Sequence, residues 1–286
     1  MEVTAISHVH FYLEETASWQ KWFEQVWQFR TIDEYANQTE QTVVLAQGKI
    51  LLYLSMPLTI SSPVAKYLDQ HPPGLAEVGF ISTNPIPPLM INNVKHLFYS
   101  QPNYVIPNSH THHLVHSIDH LVVNVPCGEM LTTAQWYEDN LGLKCGDRFD
   151  IASANSGLQS IVLHNANRQV QIPINQPVDP QSQIQEFLDK NGGAGVQHLA
   201  LATQDIHSAV QKLEKSGVKF LATKPKILVE QQSNSALLQI FTEPIFTQPT
   251  FFLEIIERQG GAVGFGERNF KALFDAVETA QMARQS

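Results

Sequence analysis

Cysteine is nearly missing from this sequence: Cys127 and Cys145 are the two among 286 residues. They form no Cys-x-x-Cys pair and cannot build a disulfide framework. The expected setting is therefore a reducing, cytoplasmic one. Charge is scarce as well. Charged residues make up 16% of the chain, and 27 acids against 18 bases leave a formal net charge of -9. No long basic run occurs, so neither nucleic acid nor an anionic membrane surface is an expected partner. No apolar run approaches the roughly 20 residues of a membrane helix. Met1-Glu2-Val3-Thr4-Ala5 lacks the basic-then-apolar order of a signal peptide. What the chain does have is 43% hydrophobic residues, enough for sizeable cores. Its length suits one large or two modest domains.

The strongest organisational signal is an internal repeat. Ile6-Ser7-His8-Val9-His10-Phe11 reads as a strand and is followed by a helical run, Ala17 to Phe29. Ile118-Asp119-His120-Leu121-Val122 is followed likewise by Thr132 to Leu143. Trp22-Phe23-Glu24 and Trp136-Tyr137-Glu138 hold equivalent places, and His8 and His120 lie 112 residues apart. A second echo pairs the run Val64 to Asp69, ending in Gly74-Leu75-Ala76-Glu77, with the run Ile184 to Asp189, ending in Gly195-Val196-Gln197-His198. Two related halves are expected, residues 1–108 and 117–286. The polar stretch between Tyr104 and Ser117 carries His110, His112, His113 and His116 and reads as a solvated linker rather than a metal site.

Period and caps give the elements. Ser182 with Gln185 resembles a capping box, and Gly192-Gly193 ends that helix. Asp205 caps a helix that Gly217 follows. A last helix from about Glu267 carries Phe270, Leu273, Phe274 and Val277 on one stripe. β-rich runs cover 160–163, 170–174, 195–202, 236–242 and 250–256. The fold class is α+β, two sheets with helices on their outer faces.

Three of these runs place a His or Glu among apolar residues: His120, His198 and Glu254. Phe252, Glu254 and Ile256 share one strand face. A carboxylate there is costly to bury without a partner, and a metal ion or an Arg or Lys would serve. Two imidazoles and one carboxylate are the ligand set of non-haem Fe(II) oxygenases. Each His by itself also fits an ordinary satisfied core position.

The second half resembles the catalytic domain of the 4-hydroxyphenylpyruvate dioxygenase family, in the vicinal-oxygen-chelate superfamily. The matching pieces occur in order over residues 117–280: Ile118-Asp119-His120, Gly157 to Leu163, Pro173-Ile174-Asn175-Gln176-Pro177, Ser182 to Leu188, Gly195 to Leu201, Leu237 to Thr242, Pro249 to Ile256, and Gly264 to Phe270. Tyr67-Leu68-Asp69-Gln70-His71-Pro72-Pro73-Gly74 is the best match in the first half. The resemblance implies two glyoxalase-like domains of repeated βαβββ modules, the second an open barrel sheet around a metal site. It implies Fe(II) held by His120, His198 and Glu254. Ser160, Asn175, Gln183, Gln197 and Gln239 would meet the substrate by hydrogen bonds, with Ser160, Asn175 and Gln239 closest to the chemistry. Phe241, Phe252, Phe265 and Phe270 would wall its ring, with Asn269 on a terminal helix that covers the pocket. The implied reaction joins 4-hydroxyphenylpyruvate and O2 to give homogentisate and CO2, a step of tyrosine catabolism.

Other readings stay open: a 4-hydroxymandelate synthase, an iron oxygenase of another aryl 2-oxo acid, or a catalytically silent binding protein of the same fold. The expected partners are a small aromatic 2-oxo acid and O2, and a homo-oligomer is compatible with the sequence. Departures from the family pattern lie outside the ligands. The segment between Pro225 and Leu237 is short, Gln176 stands for a usual Glu, and Arg268 for a usual Gly. In the first half Glu77 aligns with His198 and nothing aligns with Glu254, so one metal site is expected, in the second half.

Overall fold

A computed structural model describes residues 1–104 and 113–285. Pro107, Asn108, His110 and His112, in the expected linker, lie outside the described residues. The first half runs β1 (Val3–Tyr12), α1 (Ala17–Gln25), β2 (Arg30–Ala36), β3 (Glu40–Gln47), β4 (Ile50–Pro57), α2 (Pro63–Leu68), β5 (Gly74–Ser82), β6 (Leu89–Ile91) and β7 (Val94–Tyr99). The second runs β8 (Ser117–Asn124), α3 (Met130–Leu141), β9 (Lys144–Ala152), β10 (Gly157–His164), β11 (Gln171–Pro177), α4 (Gln183–Asn191), β12 (Gly195–Ala202), α5 (Ile206–Lys215), β13 (Leu228–Gln232), β14 (Ser235–Phe241), β15 (Phe252–Gln259) and α6 (Glu267–Gln285).

Each half builds one mixed sheet, in the order β2-β3-β4-β1-β5-β7-β6 and β13-β14-β15-β12-β8-β11-β10-β9. The α+β expectation and the pairing of the halves both hold. In each sheet an antiparallel seam joins two modules, β1 with β5 and β8 with β12. The second half has two complete βαβββ modules, β8-α3-β9-β10-β11 and β12-α5-β13-β14-β15. In the first half the second module is reduced to β5, β6 and β7. Pro85, Pro87 and Pro88 occupy the stretch where its helix would start, and proline in a helix interior removes a hydrogen bond and clashes with the preceding turn. Asn92 and Asn93, both at positive φ, turn β6 directly into β7.

The helices stop and start where their ends can be satisfied. Ser62 Oγ accepts from Val64 N at 2.9 Å with Pro63 behind it, and Asp205 accepts from Ser208 N at 3.0 Å. Ser182 Oγ accepts from Ile184 N, but Gln185 donates forward to Asp189 at 2.8 Å, so the expected capping box is one-sided.

The apolar core runs through both halves without a break. Phe11 of β1 meets Phe251 edge-on with centroids 5.2 Å apart, and Trp19 of α1 meets Phe246 at 4.8 Å. Asn165 Nδ2 donates to Val3 O at 3.1 Å and to Thr4 O at 3.2 Å. Among the described residues no helix is long and apolar enough to cross a membrane.

Candidate metal centre and active site

The site is assembled by the three central strands of the second sheet. Ala200 of β12 is in register with His120 of β8 on one side and with Glu254 of β15 on the other. Register partners face the same way, so an imidazole and a carboxylate flank a methyl group, and the small side chain leaves the space between them open. His198, two residues along β12, shares that face. The ligand atoms of His120, His198 and Glu254 all lie within 4.8 Å of one another, and all three residues are buried. Glu254 Oε2 is 3.1 Å from His120 Nε2 and 3.5 Å from His198 Nε2. The donor set, two imidazole nitrogens and one hard oxygen on one face, fits Fe(II).

Electrostatics follow from the packing. Burial pushes the Glu254 carboxyl up, but the two imidazoles outweigh it and hold it at about 2. Burial alone would lower His120; Glu254 and Asp119 reverse this and raise it to about 9. His198 is lowered, chiefly by burial. His120 Nδ1 donates to Asp119 Oδ1 at 2.9 Å, which aims Nε2 at Glu254. Metal binding has to displace the proton from that nitrogen. Asp119 in turn accepts two bonds of 2.7 Å from Arg258. Gln239 Nε2 donates to Glu254 Oε1 at 2.8 Å, and Asn269 Nδ2 donates to Gln239 Oε1 at 2.8 Å. Neighbours outside the ligand set thus fix both His120 and Glu254.

A cavity opens onto His120, His198 and Glu254. Among the residues expected from sequence, Ser160, Asn175, Gln239, Phe241, Phe265 and Phe270 line it. Ser160 Oγ, Asn175 Oδ1 and His198 Nδ1 are buried with no hydrogen-bond partner, and buried polar atoms of that kind call for an explanation. Ser160 and Asn175 are cross-strand partners on β10 and β11. Asn175 registers with Asn124, four residues along β8 from His120 and so roughly 13 Å away. Val122, Val162, Phe149, Phe265, Phe270 and Leu273 wall the space.

Four expected residues stand elsewhere. Phe252 stacks on the His198 ring at 4.6 Å. Asn269 reaches the site through Gln239. Gln183 donates to Phe274 O of α6 at 3.5 Å from beneath that helix. Gln197 falls at the register shift between Val196 and His198. Sequence reasoning missed Phe149, which meets Phe270 edge-on at 5.3 Å, and the Asp119–Arg258 pair. Phe149 is a lone aromatic in the polar strand β9 and was in principle visible as such. The pair spans 139 residues and leaves no local signal.

Residues 117–232 match the Glyoxalase/Bleomycin resistance protein/Dioxygenase superfamily, and this segment is a domain of that superfamily. Among curated proteins the chain is similar to several named 4-hydroxyphenylpyruvate dioxygenase. The 4-hydroxyphenylpyruvate dioxygenase of Sus scrofa is 40% identical over 199 aligned positions, 58% of this chain and 50% of that protein. That of Xenopus tropicalis is 39% identical over the same shares. The chain thus spans about half the length of these dioxygenases. The uncharacterized protein slr0090 of Synechocystis is 32% identical over 96% of this chain and 97% of its own. In fold, a mutant 4-hydroxymandelate synthase from Streptomyces coelicolor superposes with a TM-score of 0.89 over 98% of this chain and 100% of that one, at 23% identity.

Proposed function

We propose that the protein is an Fe(II)-dependent dioxygenase that takes an aromatic 2-oxo acid, 4-hydroxyphenylpyruvate, and O2 to homogentisate and CO2. The observation that carries this reading is a buried His120–His198–Glu254 face beneath an aromatic-walled cavity whose far end holds two unpaired polar oxygens. His120, His198 and Glu254 would hold the iron, which would supply O2 activation and a Lewis-acid site for the 2-oxo acid.

The chain's own residues do the rest. Asp119 keeps His120 in the tautomer that presents Nε2. Gln239 holds the Glu254 carboxylate by its second oxygen. Ser160 and Asn175 receive a polar group at the opposite end of the substrate, such as a phenol. Phe149, Phe265 and Phe270 press on the ring and exclude water, so orientation is the protein's contribution. The residue assignments rest on the cavity geometry together with the family kinship. The halves are proposed to divide at residues 1–108 and 117–286, with the chemistry in the second.

Incubation of anaerobically reconstituted protein with 4-hydroxyphenylpyruvate, followed by O2 and chromatography, tests the reading. Homogentisate supports it. 4-Hydroxymandelate would reassign the chain to the synthase reaction, and no product with iron bound would move it to another 2-oxo acid.

A further inference from the structure

Arg258 has no place in the chemistry above, yet its guanidinium meets the two residues that flank His120, Asp119 and Phe265. Its Nε and Nη2 donate to Asp119 Oδ2 and Oδ1, each at 2.7 Å, and Asp119 Oδ1 accepts from His120 Nδ1. Its Nη1 points the other way, donating to Gly264 O at 2.8 Å and to Ala262 O at 3.3 Å. These carbonyls belong to the connection between β15 and α6. In that connection Gly260, Gly261, Gly264 and Gly266 all adopt positive φ, which other residues rarely hold. Phe265, next to Gly264, stands edge-on to the His120 ring at 4.7 Å, and the guanidinium carbon lies 6.0 Å from the Phe265 ring centre. His120 is thus gripped from behind by Asp119 and in front by Phe265, and Arg258 holds both.

A second chain runs in parallel. Asn269, in the first turn of α6, bonds Gln239, and Gln239 bonds Glu254. Two of the three ligands are therefore tied by hydrogen bonds to α6 or to the connection just before it.

We propose that Arg258 is a positioning residue that couples metal binding at His120 to docking of α6 over the cavity. This rests on the reading of His120, His198 and Glu254 as metal ligands. His120 can bind through Nε2 only with its proton on Nδ1, the tautomer that donates to Asp119. An ordered Asp119 fixes Arg258, and a fixed Arg258 holds the carbonyls of residues 262 and 264. By linkage the effect is reciprocal: docked α6 raises metal affinity and bound metal tightens α6. A lid joined to the metal in this way closes fully only over a loaded site.

The test uses the full chain, Co(II) as the probe, and amide hydrogen exchange across residues 267–285. In the wild type, Co(II) should slow exchange in α6 about tenfold or more, by a coupling of ordinary size. Arg258→Met should weaken Co(II) binding about 10- to 100-fold and cut the metal-dependent slowing to below about twofold when saturated with Co(II). Arg258→Lys, a milder change that keeps the charge without the fork, should fall between, and it decides the matter if Arg258→Met does not fold. As a contrast, Glu230→Gln removes a charged acceptor of Arg268 N without touching Asp119. It should speed α6 exchange with or without metal and leave the ratio unchanged. Folded Arg258 variants with the wild-type ratio overturn the coupling while leaving the metal site intact. A wild type that binds no Co(II) overturns both the coupling and the functional reading.

Discussion

The same place in the two sheets holds opposite solutions to one problem. In the second sheet Ala200 lies between His120 and Glu254; in the first, Gly79 lies between His8 and Leu97. A Cβ at Gly79 would sit 2.3 Å from the His8 ring, so that ring fills the space left open beside Ala200. Tyr53 packs on it at 4.4 Å, and burial holds His8 at about 3. Glu77, the counterpart of His198, is bonded by Tyr12 at 2.7 Å, Lys95 at 2.8 Å and His10 at 2.8 Å. His10 in turn bonds Ser55 at 2.6 Å. The polar atoms of that cluster are spent on one another. In the second sheet Ser160, Asn175 and His198 each keep an unpaired atom on the cavity wall. The difference teaches that a buried polar cluster becomes a site when its bonds are left incomplete, and a structural element when they close.

The comparison can be broken most directly at the ligands. Glu254→Ala should abolish the binding of about one Fe(II) per chain, measured by anaerobic titration, whereas His8→Ala should leave the stoichiometry unchanged. Equal losses would mean that the halves are not divided in function. Next in size, Glu77→Gln should cost about 3 kcal/mol of stability, the scale of a broken buried pair, with metal binding preserved. The acid limb of a denaturation series should show the same group. Burial raises the Glu77 carboxyl, but its bonds to His10, Lys95 and Tyr12 lower it from 4.5 to about 2. Its stabilisation is complete above pH 4.5 and lost as pH falls toward 2.

On the other side, Asn175→Ala should retain iron and lose about 1.5–3 kcal/mol of transition-state binding. That is roughly ten- to two-hundred-fold in kcat/KM. Smallest of all, Ser160→Ala removes an unpaired hydroxyl and should change the melting free energy by less than about 1 kcal/mol, in either direction. A large destabilisation would show that its hydroxyl is structurally committed, like that of Ser55.

The strands and the triad were legible because they obey local rules. Alternation placed Phe252, Glu254 and Ile256 on one face, and a carboxylate between two apolar residues stands out in any reading. The 112-residue offset of His8 from His120 is readable in the sequence, and the two residues take corresponding places opposite Gly79 and Ala200. What stayed hidden depends on exact register or distance. The register shift at Gln197 decides which way an amide points, and nothing in Gly195-Val196-Gln197-His198 announces it. Pro85, Pro87 and Pro88 mark the missing helix of the first half, a signal carried by what the two halves do not share. Gln239 was expected to meet substrate, and it does line the cavity; its bonds to Glu254 and Asn269 came from side-chain geometry that strand parity cannot give.

The unbroken core has a consequence for the history of such a chain. Phe11, Trp19, Phe246 and Phe251 belong to one packing unit although they come from opposite halves of the chain. Among the described residues the first half holds no cluster of three metal-ligating groups, yet it is not free to disappear: its loss would strip the cover from the aromatic residues flanking the strand that carries Glu254. A gene built this way can let one copy drift in chemistry while selection still holds its shape, and heat should melt the pair in a single transition.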